Sequence, residues 1–131
     1  MRRTMMKSRI HRATVTGADL SYVGSIPLDP EPTALADVLE HEQVHVLDID
    51  NAARFETCAI PGVGGPGQVV LIGAAARLVQ PGDKVIVITY AQYEDAELAG
   101  FAPRVVRVDA ANRPVALGTE TLDRERHGLA S

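Results

Sequence analysis

The apolar residues of this chain fall in short alternating runs rather than helical stripes, and that limits the folds open to it. Residues 5–16 alternate throughout. Lys7, Arg9, His11, Ala13 and Val15 fall on one face, and Met6, Ser8, Ile10, Arg12 and Thr14 on the other, which is the period of a strand. Residues 43–49 alternate and are partly β-branched. Residues 54–60 follow them across the turn signal Asp50-Asn51, so the two runs read as a hairpin. Residues 69–72, 84–90 and 104–108 read as further strands, with 84–90 the strongest. Pro30 and Pro32 close a short apolar stretch over 25–28. Helical spacing is confined to Leu35, Val38 and Leu39, which predicts a short helix over 33–40, and a single helical turn fits 73–78. Many short strands with few, short helices predict a mainly-β protein, a small barrel rather than a sandwich or a βαβ fold.

A length of 131 residues suits one domain, taken as residues 1–118. Residues 119–131 are charged and lack a core pattern, so a mobile tail is expected there. The net charge of −4 gives no basic footprint, and nucleic acid is not an expected partner. No apolar run reaches the length of a membrane span, and no apolar segment follows the charged start as a secretory signal requires. Cys58 is the only cysteine, which excludes an internal disulfide and suits a reducing cytoplasm. Cys58 and the four histidines (His11, His41, His45, His127) show no metal-ligand spacing, so no metal is expected. The glycine-rich stretch 61–67 is a loop by composition. No Lys-Ser or Lys-Thr follows it, as a phosphate cradle would need. Arg2, Arg3, Lys7, Arg9 and Arg12 concentrate positive charge near the start, as a solvated patch or as an attraction for an anionic substrate.

One dipeptide stands out by its surroundings. Gly24-Ser25 alone would read as a turn. It closes the run Arg9-Ile10-His11-Arg12-Ala13-Thr14-Val15-Thr16-Gly17-Ala18-Asp19-Leu20-Ser21-Tyr22-Val23-Gly24-Ser25. That run resembles the self-cleavage segment of the pyruvoyl-dependent aspartate 1-decarboxylases. The resemblance continues in order through Asp48-Ile49-Asp50-Asn51, Arg54, Thr57, Gly73-Ala74-Ala75-Ala76 and Pro81-Gly82-Asp83, and thins beyond residue 90. It implies a six-stranded double-psi β-barrel that cuts itself between Gly24 and Ser25 into a short β chain and a longer α chain. It implies a pyruvoyl cofactor made from Ser25, with no metal and no pyridoxal phosphate. The implied activity is conversion of L-aspartate to β-alanine and CO2, feeding pantothenate and coenzyme A. The implied assembly is a cytoplasmic homotetramer with sites between subunits. A maturation factor that assists the cut is a candidate partner.

The chemistry explains why such residues are needed. Self-cleavage requires the Ser25 hydroxyl against the Gly24 carbonyl, and near-attack placement can replace roughly 7–11 kcal/mol of barrier. Glycine tolerates the backbone conformations that such placement asks for. An N-to-O acyl shift passes through an oxyanion, which a fixed donor stabilises; the resemblance gives that role to Thr57. Elimination and hydrolysis then release ammonia and leave a ketone. The ketone forms a Schiff base with the substrate amine and takes up electrons as CO2 leaves, while the protein supplies orientation and charge. By the same resemblance Arg54 grips a substrate carboxylate, as guanidinium can do bidentately. Gly73, Ala74 and Ala75 offer backbone N–H groups and room. Arg9 and His11 add positive charge from one strand face, and Tyr22 packs or hydrogen-bonds beside the cut. Three positions depart from the family pattern: Arg9 where lysine is usual, Ile72 where asparagine is common, and Cys58 where the proton-donating tyrosine stands. A thiol can donate a proton but is much shorter, and a free cysteine is often simply a small buried hydrophobe. A Cys58 nucleophile is disfavoured, because no histidine is adjacent in sequence. These departures leave a changed amino-acid substrate and a non-catalytic barrel as alternatives.

Overall fold

The computed structural model describes residues 1–21 and 23–118; Tyr22 and the expected tail 119–131 lie outside the described residues. The elements run β1 (Arg2–Thr14), β2 (Gly17–Asp19), β3 (Ile26–Leu28), α1 (Pro30–Leu35), β4 (Gln43–Asp48), β5 (Arg54–Pro61), β6 (Val70–Ile72), a 3-10 helix (Gly73–Leu78), β7 (Lys84–Glu94), a second 3-10 helix (Asp95–Leu98), β8 (Arg104–Val108) and β9 (Pro114–Gly118). Seven strands form one sheet in the order β3-β5-β4-β7-β1-β8-β9, and β2 pairs with β6 in a second. The large sheet curls into a half-barrel, so the mainly-β barrel expected from the sequence holds. The described residues carry nine strands, three of them only three residues long. Three pairings are parallel: β1 with β8, β2 with β6, and β3 with β5.

The alternation of residues 5–16 builds β1 as predicted, but not with the predicted faces. Ser8 and Ile10 are buried, and so are Ala13 and Val15. The β1–β7 register slips between Ile10 and Ala13, and Arg12 there has φ 62. A bulge inserts one residue and turns the strand, so Ala13 and Val15 join Ile10 in the core instead of sharing a face with Lys7, Arg9 and His11. Ser8 and Thr89, both fully buried, satisfy each other across β1 and β7 at 2.6 Å. That pairing removes the cost of two orphan hydroxyls.

The helix also differs from expectation. It covers Pro30–Leu35, not 33–40. Asp29 caps it by accepting the Glu31 N–H at 3.0 Å, and Pro30 occupies its first turn, where the missing N–H costs nothing. The two prolines therefore begin the helix rather than only ending the stretch before it. β7 continues to Glu94, past the predicted end at 90, and β2, β9 and the 3-10 helix Asp95–Leu98 were not legible as elements.

The two turn motifs of the sequence lock against each other. Asp48 Oδ1 accepts the N–H groups of Asp50 and Asn51, and Asn51 Nδ2 donates to the Leu78 carbonyl at the end of the first 3-10 helix. Asp50 Oδ2 accepts the Lys84 N–H, and Gly82, with φ 96, donates its N–H to Val15. Asp48, Asp50 and Asp83 bring carboxylate oxygens within 4.8 Å of one another. Asp48 is only 2% exposed, and no donor among the described residues reaches its Oδ2. Burial, and then the Asp83 carboxyl, hold the Asp48 carboxyl above the ordinary carboxylate range, against the two N–H groups that pull it down. A carboxyl raised in the folded state gives stability that is complete below its unfolded value and is lost as pH rises through the folded one. Asp48→Asn keeps the acceptor and supplies a donor toward Asp83. It is expected to raise Tm at pH 7, with the difference shrinking as the pH falls toward 3. Thermal unfolding of both proteins from pH 3 to pH 8 checks this.

Candidate functional site

Ser25 sits where the two sheets meet. Its N–H donates to the Ile72 carbonyl at 3.2 Å, and the Ile72 N–H donates back to the Ser25 carbonyl at 3.0 Å. This antiparallel bridge and a second one between Leu28 and Val69 join β3 in the large sheet to the edge of β6. Ser25 is 7% exposed. Gly24 beside it is exposed and open: a side chain there would meet nothing closer than the Ile72 carbonyl at 3.9 Å.

The chain beyond Ile72 turns at once. Gly73 is buried and has φ 80, a left-handed conformation that an L side chain adopts only with strain. The 3-10 helix Gly73–Leu78 starts there, so Gly73, Ala74 and Ala75 follow directly on the partner of Ser25. The predicted helical turn over 73–78 is thus present and stands next to the serine. Asn51 grips its far end through Leu78, which gives the turn motif of residues 48–51 a part in placing these small residues.

β5 supplies the next predicted positions. Its parallel register with β3 pairs Ile26 with Ala59, so one residue earlier Ser25 lies level with Cys58. Thr57 and Cys58 are consecutive and therefore point to opposite faces of the strand. Thr57 is half-buried and Cys58 is exposed, so Cys58 is not a small buried hydrophobe. Arg54, also exposed, shares the Cys58 face with Glu56 but stands four residues away, about 13 Å along the strand. A cavity of about 160 Å³ beside it is lined by Arg54, His45 and Glu56 among others. His45 Nε2 lies 3.3 Å from Glu56 and packs edge-on against Tyr90.

Arg9 and His11 lie on β1, with β5, β4 and β7 between that strand and β3 in the sheet order. Arg9 stands opposite Val105 and His11 opposite Arg107 in the parallel β8 pairing, and both are half-buried. Other cations of the basic cluster have local carboxylate partners: Arg2 with Glu94, Arg3 with Asp95 and Lys7 with Glu42. Such surface pairs use up much of the field that the cluster would offer an anion. A cavity of about 410 Å³ is lined, among the described residues, by Thr4, Glu42, Gln43, His45 and Tyr90, none of them a predicted site residue. Tyr22 lies outside the described residues.

The sequence reading missed what anchors the strand that starts at Ser25. Asp29, just beyond β3 and 6% exposed, accepts the Gly67 N–H at 2.8 Å and meets Arg113 at 3.2 Å. Arg113 also reaches Glu31 at 2.8 Å. Buried Asn112 donates to the Gly67 and Thr14 carbonyls. Gly67 has φ 81, and a side chain there would strike the Ala111 carbonyl oxygen. The glycine-rich loop thus gives the N–H groups of Gly62, Gly64 and Gly67 to acceptors of the protein itself. The local signal was legible, since an aspartate before Pro-x-Pro is a helix cap; its distant partners were not.

The family model described as aspartate decarboxylase matches residues 1–115. The aspartate 1-decarboxylase of Heliobacterium modesticaldum (strain ATCC 51547 / Ice1) is 57% identical over 116 residues, which are 88% of each chain. The chain belongs to the aspartate decarboxylase family.

The left-handed Gly73 next to the Ser25 partner is expected to resist substitution. Gly73→Ala should lower stability by about 1–2 kcal/mol through strain at that φ. Urea unfolding checks it, and an unchanged midpoint would contradict the strain.

Proposed function

We propose that the chain cuts itself between Gly24 and Ser25 and then decarboxylates L-aspartate to β-alanine and CO2, with the pyruvoyl group derived from Ser25 as its cofactor. The observation that carries this is the seat of Ser25. The serine is buried, bonded on both sides to Ile72 and followed by the small-residue turn at Gly73, in a chain of the aspartate decarboxylase family. The named relative at 57% identity weighs against a changed substrate and against a barrel without activity.

The residues fit the group. A pyruvoyl residue is no larger than the serine it replaces, so it needs no new cavity. Its amide carbonyl is the Ser25 carbonyl, already held by the Ile72 N–H. When formed, the group supplies an electron sink for the carbon that loses CO2.

The other residues act around it. Ser25 Oγ attacks the Gly24 carbonyl, and the open space at Gly24 accommodates the tetrahedral carbon. Thr57 donates to the oxyanion. Arg54 binds one substrate carboxylate, and Arg9 and His11, with three strands between them and β3 in one chain, add positive charge where subunits meet. Gly73, Ala74 and Ala75 leave room for the substrate and turn backbone N–H groups toward it. Cys58 returns the proton to the product carbon, reaching it directly or through one water. Tyr22 supports the cut from just before it. The working unit is a homotetramer in the cytoplasm, acting in pantothenate and coenzyme A synthesis, with a maturation factor as an optional helper.

Mass spectrometry of the purified protein tests the proposal. Two fragments are expected, the larger one lighter by one ammonia than plain hydrolysis would leave it, and β-alanine should form from L-aspartate. Ser25→Ala should stay whole. A wild-type chain that stays whole after prolonged incubation and makes no β-alanine would reject the reading. Cys58→Ala is expected to be cut normally yet turn over about 100-fold more slowly, since proton donation contributes at least that much. Undiminished turnover would take the proton from Cys58 and assign it to solvent.

A further inference from the structure

We infer that the main-chain carbonyl of Ile72 is a preformed acceptor for the amine nitrogen of the substrate. The inference rests on the processing proposed above and deepens it. In the uncut chain Ser25 and Ile72 exchange two hydrogen bonds, of 3.2 Å and 3.0 Å. Processing treats them unequally. The nitrogen of Ser25 is the atom that leaves as ammonia, and water supplies the oxygen that replaces it on the same carbon. The Ser25 carbonyl is untouched, so the Ile72 N–H keeps its partner and still holds the residue to β6. The Ile72 carbonyl loses its donor. It is left aimed at the position that nitrogen held, in a seat only 7% exposed.

Substrate refills the same position. An ammonium group condenses at that carbon: nitrogen and carbon form a double bond, the ketone oxygen departs with two protons as water, and one proton stays on nitrogen. The new nitrogen is bonded to the atom that carried the old one, and it brings an N–H into the old direction. The Ile72 oxygen gains nothing from facing a ketone oxygen. Facing a positively charged N–H, it makes a charge-assisted hydrogen bond. The contact exists only once the amine has condensed, so it favours that state over the empty site. Because it is a main-chain contact, it does not depend on the side chain at 72. Isoleucine can therefore stand where the family commonly has asparagine.

The test is a crystal structure of the matured protein after incubation with L-aspartate and borohydride, which reduces the new carbon–nitrogen bond to a stable amine. The nitrogen is expected within about 3.2 Å of the Ile72 oxygen, in the wild type and in Ile72→Val alike. A nitrogen beyond about 4 Å, or one donating to another acceptor, overturns the inference. The mass of the same sample separates the two levels. A chain that stays whole and takes up no substrate mass removes the processing itself, and the Ile72 contact with it. A cut and labelled chain with its nitrogen elsewhere removes only the contact.

Discussion

The paired hydrogen bonds between Ser25 and Ile72 are the constraint on which the rest depends. They hold the proposed reacting residue by its backbone, so its position follows from the fold rather than from a flexible side chain. They also join the large sheet to the small one, helped by the Leu28–Val69 bridge and by Thr16, whose backbone and hydroxyl both reach Val69. A sheet edge carries unpaired N–H and C=O groups in a regular row. Here one such row is closed by the segment that holds the proposed cleavage site.

That placement is costly to maintain, because a cut before Ser25 would leave β3 tethered from one side only. The anchors on the remaining side are correspondingly dense. β3 pairs with β5, the Leu28 carbonyl accepts from Gly62, and Asp29 binds Gly67, Glu31 and Arg113. Asp29 is nearly buried, and a buried carboxylate persists when its oxygens are met by donors. Here the donors come from the glycine-rich loop, the helix and the residue before β9, so three distant segments converge just after the strand that Ser25 leads into.

Much of this was legible in the sequence, and the failures have physical causes. Alternation located β1 and β4, because strands with one buried face must alternate; the turn at Asp50-Asn51 then placed β5, and β7 and β8 were legible as strand-like runs. The bulge at Arg12 escaped notice because it exchanges the two faces of β1 without disturbing composition. The helix began early because Asp29 and Pro30 act as cap and first turn, a pattern that overrides the spacing of Leu35, Val38 and Leu39. Gly24-Ser25 was conspicuous only through its resemblance to a known segment; its own composition is that of any turn. The partner of Ser25 was invisible, since a pairing between residues so far apart depends on register across the whole sheet. The same holds for Asp48 and Asp83, whose closeness sets an unfavourable charge within two otherwise ordinary turn motifs.

The two departures at Ile72 and Cys58 differ in kind. Position 72 acts through its main chain in the pairing with Ser25, and any residue that keeps β6 extended preserves that. Position 58, the proposed proton donor, would act only through its side chain, where a thiol is shorter than a phenol. Its exposure would offset part of that loss. Cys58 stands on the solvent-facing side of β5 with Glu56 and Arg54, level with Ser25 by register. In the proposed role a thiol there would lose reach relative to a phenol, but its exposure would let a bridging water span what the sulfur could not. A buried cysteine at the same position would have lost both.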